Sequence, residues 1–299
     1  MTLRNLFPLA IILLFAVGGC AELQDNLPSP TASGPVVHPT GWIDTASTNF
    51  HGDALRLAGW NLPSCTSCHG ATYGGGSSGV SCMKCHTKPS GPENCTVCHG
   101  GVNAAPPRDV LGNSARSNRT VGAHQQHVLD GAFAEGILCS ECHRVPTTLN
   151  SAGHIDSPSP AEVTFASKLA NKKTNVPGTD NYSSTLPTLT PTPAFDAATL
   201  TCKNVYCHGY FKNGNNNNAP IWNATAPAQA ACGSCHGDAS KPTNAEKALP
   251  KTDTAGGTHP NATMCFACHG DVIDQSGKII SLTKHMNGKL NVLGQEKDF

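Results

Sequence analysis

The chain is poor in what usually fills a protein core. Aromatic residues occupy 5 % of its 299 positions. Leu, Ile, Val and Phe together make up 18 %, and ten of them lie in the first 17 residues. That poverty borders on the composition of disordered chains and excludes an enzyme built around a large side-chain core. Charge is scarce too: Asp, Glu, Lys and Arg are 13 % of the chain and cancel to zero. Self-repulsion therefore does not hold the chain open, and nothing in the charge points to a nucleic-acid partner. The longest apolar run, Leu6 to Val17, is twelve residues, short of the roughly 20 that a membrane-spanning helix needs. What abounds is glycine (30), proline (22), cysteine (15) and histidine (14). This is a loop-rich chain that must fold around something other than its own side chains.

The N-terminus reads as an export signal over residues 1–19: Arg4 is the basic start, Leu6 to Val17 the apolar run, and Val17-Gly18-Gly19 the small-residue cleavage site. Val17-Gly18-Gly19-Cys20 resembles the lipobox of bacterial lipoproteins, which implies lipidation of Cys20 and stable attachment to a membrane surface. Residues 20–36, with three prolines and no periodicity, read as a flexible tether. The expected location is outside the cytoplasm.

Setting Cys20 aside leaves fourteen cysteines in seven pairs, each followed directly by histidine. Six have the spacing C-x-x-C-H: Cys65, Cys68 and His69; Cys82, Cys85 and His86; Cys95, Cys98 and His99; Cys139, Cys142 and His143; Cys232, Cys235 and His236; Cys265, Cys268 and His269. The remaining one, fifth along the chain, is stretched by two residues, with Cys202, Cys207 and His208. C-x-x-C-H is the attachment signal of c-type haem. Two thiols three positions apart on one helical face reach the two vinyl groups on a porphyrin edge, and the next residue turns its imidazole onto the iron. Two extra residues can loop out without moving the sulfurs. A disulfide scaffold and Cys/His zinc sites compete for the same residues, but neither requires a histidine after every second cysteine. The reading is seven covalent haems, with His69, His86, His99, His143, His208, His236 and His269 as proximal ligands.

Seven histidines remain: His38, His51, His124, His127, His154, His259 and His285. They match the irons one for one, so each is expected to be a distal ligand, giving bis-histidine, low-spin, low-potential centres. Methionine is the rival ligand. Met1 lies in the signal, Met83 and Met264 lie inside or against attachment motifs, and Met286 adjoins His285. Order along the chain suggests His38 and His51 for the first three haems, and His124 and His127 for the first and middle groups. By the same logic His154 goes to the middle or fifth haem, and His259 and His285 to the last group.

The expected fold is mostly irregular backbone with short α-helices at the attachment sites, little sheet, and haems packed as the core. The organisation is a trihaem region at 37–102, a connector at 103–123 and a tetrahaem region at 124–299. Glycines after the ligands, Gly70, Gly100, Gly209, Gly237 and Gly270, suit left-handed helix caps. Ala161 to Phe165 alternates as an isolated strand would, the remainder of 156–199 reads as loop, and Asn215 to Asn218 is a polar turn tract.

A family resemblance attaches to these residues. Cys139-Ser-Glu-Cys142-His143-Arg-Val-Pro, Gly153-His154-Ile-Asp, Ala161 to Phe165, Cys202 to His208-Gly, Trp222 and Cys232 to His236-Gly are similar to the CxxxxCH/CxxCH multihaem domain of Geobacter-type metal-reducing bacteria. Cys95 to His127 is similar to the segment that often precedes it, and His38-Pro-Thr-Gly-Trp42, Phe50-His51-Gly and Tyr73 to Cys82 resemble other multihaem cytochromes of such organisms. The resemblance implies an outer-membrane lipoprotein, on the periplasmic or cell-surface face, that carries electrons to other multihaem cytochromes and to external acceptors such as ferric oxides. No catalytic residue or organic substrate is expected. A nitrite- or hydroxylamine-type reductase would need an iron with an open position, and a haem-lined filament would need a histidine shared between subunits.

Overall fold

The computed structural model describes residues 37–156, 161–225 and 227–299; the signal segment, the tether and Cys20 lie outside the described residues. Contacts divide the chain into two units, Met1–Ala54 and Leu55–Phe299, with the boundary inside helix α1 (His51–Leu57). The backbone is mostly irregular, as expected. The other helices are single turns of four or five residues: α2 (Thr66–His69), α3 (Cys95–Cys98), α4 (His124–Val128), α5 (Asn244–Ala248) and α6 (Cys265–His269). None of the six carries a buried residue, so they are not held by an apolar stripe. Local side-chain caps hold two of them. Asn94 Oδ1 accepts from Thr96 N at 3.1 Å to start α3. A reciprocal capping box starts α5, with Thr243 Oγ1 accepting from Glu246 N at 3.3 Å and Glu246 Oε2 accepting from Thr243 N at 3.1 Å. No described helix is long and apolar enough to cross a membrane.

Among the described residues sheet is confined to two antiparallel hairpins, β1 (Ala194–Asp196) with β2 (Thr201–Lys203) and β3 (Leu290–Val292) with β4 (Gln295–Lys297). The alternating segment 161–165 is not a strand. Its backbone serves a motif instead: Thr164 N donates to Cys142 O at 2.8 Å, and Glu162 O accepts from the ring of His143 at 2.7 Å. A ladder would need those same groups.

Two small apolar clusters stand among the described residues. Leu62, Tyr73 and Leu149 pack with Leu55, Cys65, Cys82 and Ile155. Phe165, Ala170 and Val205 pack with Val163, Phe195, Cys142, Cys202 and Cys207. Each cluster joins two attachment motifs. The stretch after residue 160 is ordered by Asn175, fully buried, whose Nδ2 donates to the carbonyls of Ser183 at 3.1 Å and Pro187 at 3.2 Å.

Of the five glycines expected as left-handed caps, Gly70, Gly100, Gly209 and Gly237 have positive φ. Gly270 does not (φ −65°), because the chain leaves α6 in a right-handed turn with Val272 N and Ile273 N both donating to His269 O. At Gly237 a Cβ would collide with the Lys247 carbonyl, so the close return of α5 over the sixth motif requires glycine there.

Candidate functional site

Five of the six C-x-x-C-H motifs sit on short helical turns: α2, α3, α6 and two 3-10 turns beginning at Cys82 and Cys139. The stretched motif is built differently. Cys202 lies on β2 opposite Phe195, the chain reverses at Asn204 (φ 55°), and Cys207 follows in the 3-10 turn Tyr206–His208. Two additional residues are what a strand-to-helix change costs while both sulfurs stay near the Phe165 cluster. None of the fourteen described cysteines is disulfide-bonded. No cluster of three or more His, Cys, Asp or Glu among the described residues is arranged to hold a metal ion.

Burial pushes the thiols of Cys142 and Cys207 up to about 12, and those of Cys202 and Cys235 up to about 11. These sulfurs are neutral at pH 7, and a thioether, formed by adding S–H across a vinyl group, stays neutral and suits an apolar setting.

Eleven of the fourteen histidines share one arrangement. Nδ1 faces a backbone carbonyl in His51 (Trp42 O, 2.9 Å), His69 (Val80 O, 2.8 Å), His99 (Ala104 O, 2.6 Å), His124 (Val121 O, 2.7 Å) and His127 (Ala123 O, 2.9 Å). The same holds for His143 (Glu162 O, 2.7 Å), His154 (Leu149 O, 2.8 Å), His236 (Ala248 O, 2.6 Å), His259 (Pro260 O, 2.7 Å), His269 (Asn291 O, 2.5 Å) and His285 (Phe133 O). A carbonyl only accepts, so Nδ1 carries the proton and Nε2 keeps its lone pair for a metal. His208 departs from the rule: its Nδ1 is buried with no hydrogen-bond partner, and burial drives its pKa down to about 4. Burial also lowers His124, His236, His259 and His285. All five are neutral at pH 7, the state that binds metal.

Four motif histidines stand against four of the others. Ring centroids are 6.2 Å apart for His143 and His124, 6.1 Å for His208 and His127, 6.5 Å for His236 and His285, and 6.4 Å for His269 and His259. A metal–imidazole bond of about 2.0 Å plus about 1.1 Å from nitrogen to ring centre, taken twice, gives about 6.2 Å across one metal. The spacing therefore fits an iron between each pair. His127 thus stands with the fifth motif rather than with the first or middle group. His154 also differs from its sequence-order placement: its carbonyl partner Leu149 and its neighbour Ile155 pack with Cys65 and Cys82. In the other unit, His38 stacks on Trp42 at 4.4 Å and His51 lies 6.2 Å from the same indole. His86 ends the second motif.

Large apolar side chains flank the motifs in the open: Leu138 is 74 % exposed, Met264 66 %, Val80 60 % and Val145 51 %. They present surface that a porphyrin would cover.

Some supporting residues carry no sequence signal of their own. Gln125, between the two histidines of α4, donates to Ala105 O at 3.1 Å and Pro106 O at 2.8 Å, tying α4 to the segment that holds His99. The asparagine tract links two motifs: Asn215 Nδ2 faces the carbonyls of Gly233 (2.9 Å), Ser234 (3.2 Å) and Gly237 (3.1 Å), and Asn218 Nδ2 donates to His208 O at 2.8 Å. In the sequence they stood out only as a polar turn tract.

Residues 201–236, which hold the stretched motif and the one after it, match the family model for the Geobacter CxxxxCH...CXXCH motif. No curated protein and no solved structure matches the chain. The matched segment is similar to a multihaem c-type cytochrome domain, and its motifs point to covalently bound haem and to electron transfer.

Proposed function

We propose that the chain is a heptahaem c-type cytochrome, each iron held by two histidines, that carries electrons between redox partners as a lipoprotein of the outer membrane. The observation that carries this reading is the shared histidine arrangement: eleven rings anchored through Nδ1 to carbonyls, and four facing pairs spaced for one metal. When bound, c-type haem supplies a one-electron ferric/ferrous couple. In those eleven rings the carbonyl fixes the tautomer, so that Nε2 would be held ready for a metal with little reorganisation. The cysteine pairs would hold the porphyrin edge, and the apolar side chains beside them would lie where they can keep water from its faces, which would tune the potential. Partners are other multihaem cytochromes, with ferric oxides as external acceptors, and Cys20 is the acylated residue.

The test is electron paramagnetic resonance of the oxidised protein and optical spectra of the reduced protein before and after carbon monoxide, on a sample whose mass shows seven haems. Every iron should be low-spin and carbon monoxide should change nothing. A high-spin or carbon-monoxide-binding haem would overturn the two-histidine assignment at that iron and turn attention to reductase chemistry there.

A further inference from the structure

His124 and His127 project from the same short helix, α4, toward two different motif histidines, His143 and His208. Both rings also touch one indole. The centroid of Trp222 lies 4.7 Å from that of His124, nearly edge-on at 85°, and 5.7 Å from that of His127 at 33°. The indole is itself held from several sides. Its Nε1–H donates to Arg119 O at 2.8 Å, and its backbone N–H donates to Leu200 O at 2.6 Å. It lies so close to Gly122 that a Cβ there would run into the ring, and the next residue, Asn223, donates to Ser117 O at 2.7 Å. A side chain placed mainly to fill space needs none of these polar ties. The motif recurs in the other unit, where Trp42 stacks on His38 and presents its carbonyl to His51 Nδ1. Two of the chain's three tryptophans thus stand against a pair of these histidines.

We propose that Trp222 is a positioning residue that fixes the ring planes of His124 and His127 together, and so sets the ligand fields of two neighbouring haems, those attached at Cys139 and Cys142 and at Cys202 and Cys207. The inference rests on the two-histidine reading above. An imidazole can turn about its metal–nitrogen bond, and the carbonyl on Nδ1 restrains that turn loosely. A ring packed against the imidazole's face or edge restrains it firmly. Because both imidazoles meet one indole, moving the indole changes both centres and leaves the remainder alone.

The test uses the holoprotein and four variants. His124→Ala and His127→Ala should each remove one low-spin resonance, which assigns the signals of the two centres. In Trp222→Leu the same two resonances should shift in g value and the midpoint potentials of those two haems should move, with the other five unchanged and seven haems retained by mass. Trp222→Phe, which keeps a ring but loses the bond to Arg119, should shift the same two signals by less. Unshifted signals in Trp222→Leu, with each histidine variant losing its own, overturn the role of Trp222 alone. If Trp222→Leu does not retain its haems, an unshifted Trp222→Phe spectrum does the same. Histidine variants that leave every haem low-spin overturn the ligand assignment beneath it.

Discussion

At each histidine the atom facing Nδ1 decides what Nε2 can do, and the neighbouring rings decide in which plane. The four facing pairs fall into two classes. His143 with His124 and His269 with His259 are near-parallel, at 21° and 17°, whereas His208 with His127 and His236 with His285 are steeply crossed, at 63° and 71°. The metal d orbitals align with the ligand planes, so parallel imidazoles give a rhombic low-spin signal and crossed ones a strongly anisotropic signal. Resonance of the oxidised protein should contain at least two signals of each kind; a spectrum of one kind would contradict these ring planes. The supporting amides carry their own expectation. Asn215→Ala removes a donor from the carbonyls of Gly233, Ser234 and Gly237 and should destabilise the holoprotein by roughly 1–3 kcal/mol, read as a lower Tm. An unchanged Tm would mean that the tract does not hold the two motifs together. Every histidine set face to face was visible in the sequence, by motif or by count. Their grouping was legible in part: His124 stands with the middle motif and His259 and His285 with the last group, as chain order suggests, whereas His127 reaches His208 across folds in the chain that no local pattern encodes. The carbonyl partners were equally hidden, since every residue has one.

Elements in this protein are short because they serve as brackets for side chains rather than as walls of a core. α5 has five residues and a full capping box, and its Ala248 carbonyl anchors His236. β3 places the Asn291 carbonyl on His269. The segment 103–123, which reads in sequence as a connector, offers Ala104 O to His99 and is fastened to α4 through Gln125. Its turn is organised by Asp109, 5 % exposed, whose carboxylate accepts from Leu111 N at 2.9 Å, Asn113 N at 2.8 Å, Asn113 Nδ2 at 2.8 Å and Thr120 Oγ1. Burial alone would raise its pKa, but those hydrogen bonds together outweigh burial and hold it below the ordinary value. The folded chain therefore holds this proton less tightly than the unfolded one. The stabilisation is complete above the unfolded pKa of about 3.9 and is lost as pH falls through the lower folded value. Asp109→Asn turns a donor toward donors, so it should lower Tm at pH 7 and flatten the acid limb of a Tm-against-pH curve below about pH 4. A variant with the parent acid limb would show that Asp109 does not drive it. Short helices and scarce sheet were legible from glycine, proline and motif spacing. The alternation at 161–165 misled because its backbone groups bond to Cys142 and His143, and periodicity reports only where side chains point.

For the whole molecule, the question is what offsets the entropy of ordering so many irregular residues, about 1–2 kcal/mol each for the backbone alone. Among the described residues twelve apolar residues are buried, six of them in two clusters of three, and large apolar residues such as Leu138 and Met264 stand exposed beside the motifs. Each fully buried large apolar side chain contributes about 1.5–3 kcal/mol, too little for a chain of this length. On the proposed reading porphyrin faces would supply the missing apolar surface, with two covalent bonds per haem tying their edges to the chain at each motif. Haems bound in this way would be structural as well as electronic, and folding should then depend on their attachment. The same sequence produced without haem attachment, or with its motif cysteines replaced by alanine, should show no cooperative thermal transition in circular dichroism. It should also be cut by protease throughout residues 55–299, while the holoprotein resists. A haem-free chain that melts cooperatively and resists protease would show that the side chains hold the fold, and the haems would then be passengers in it.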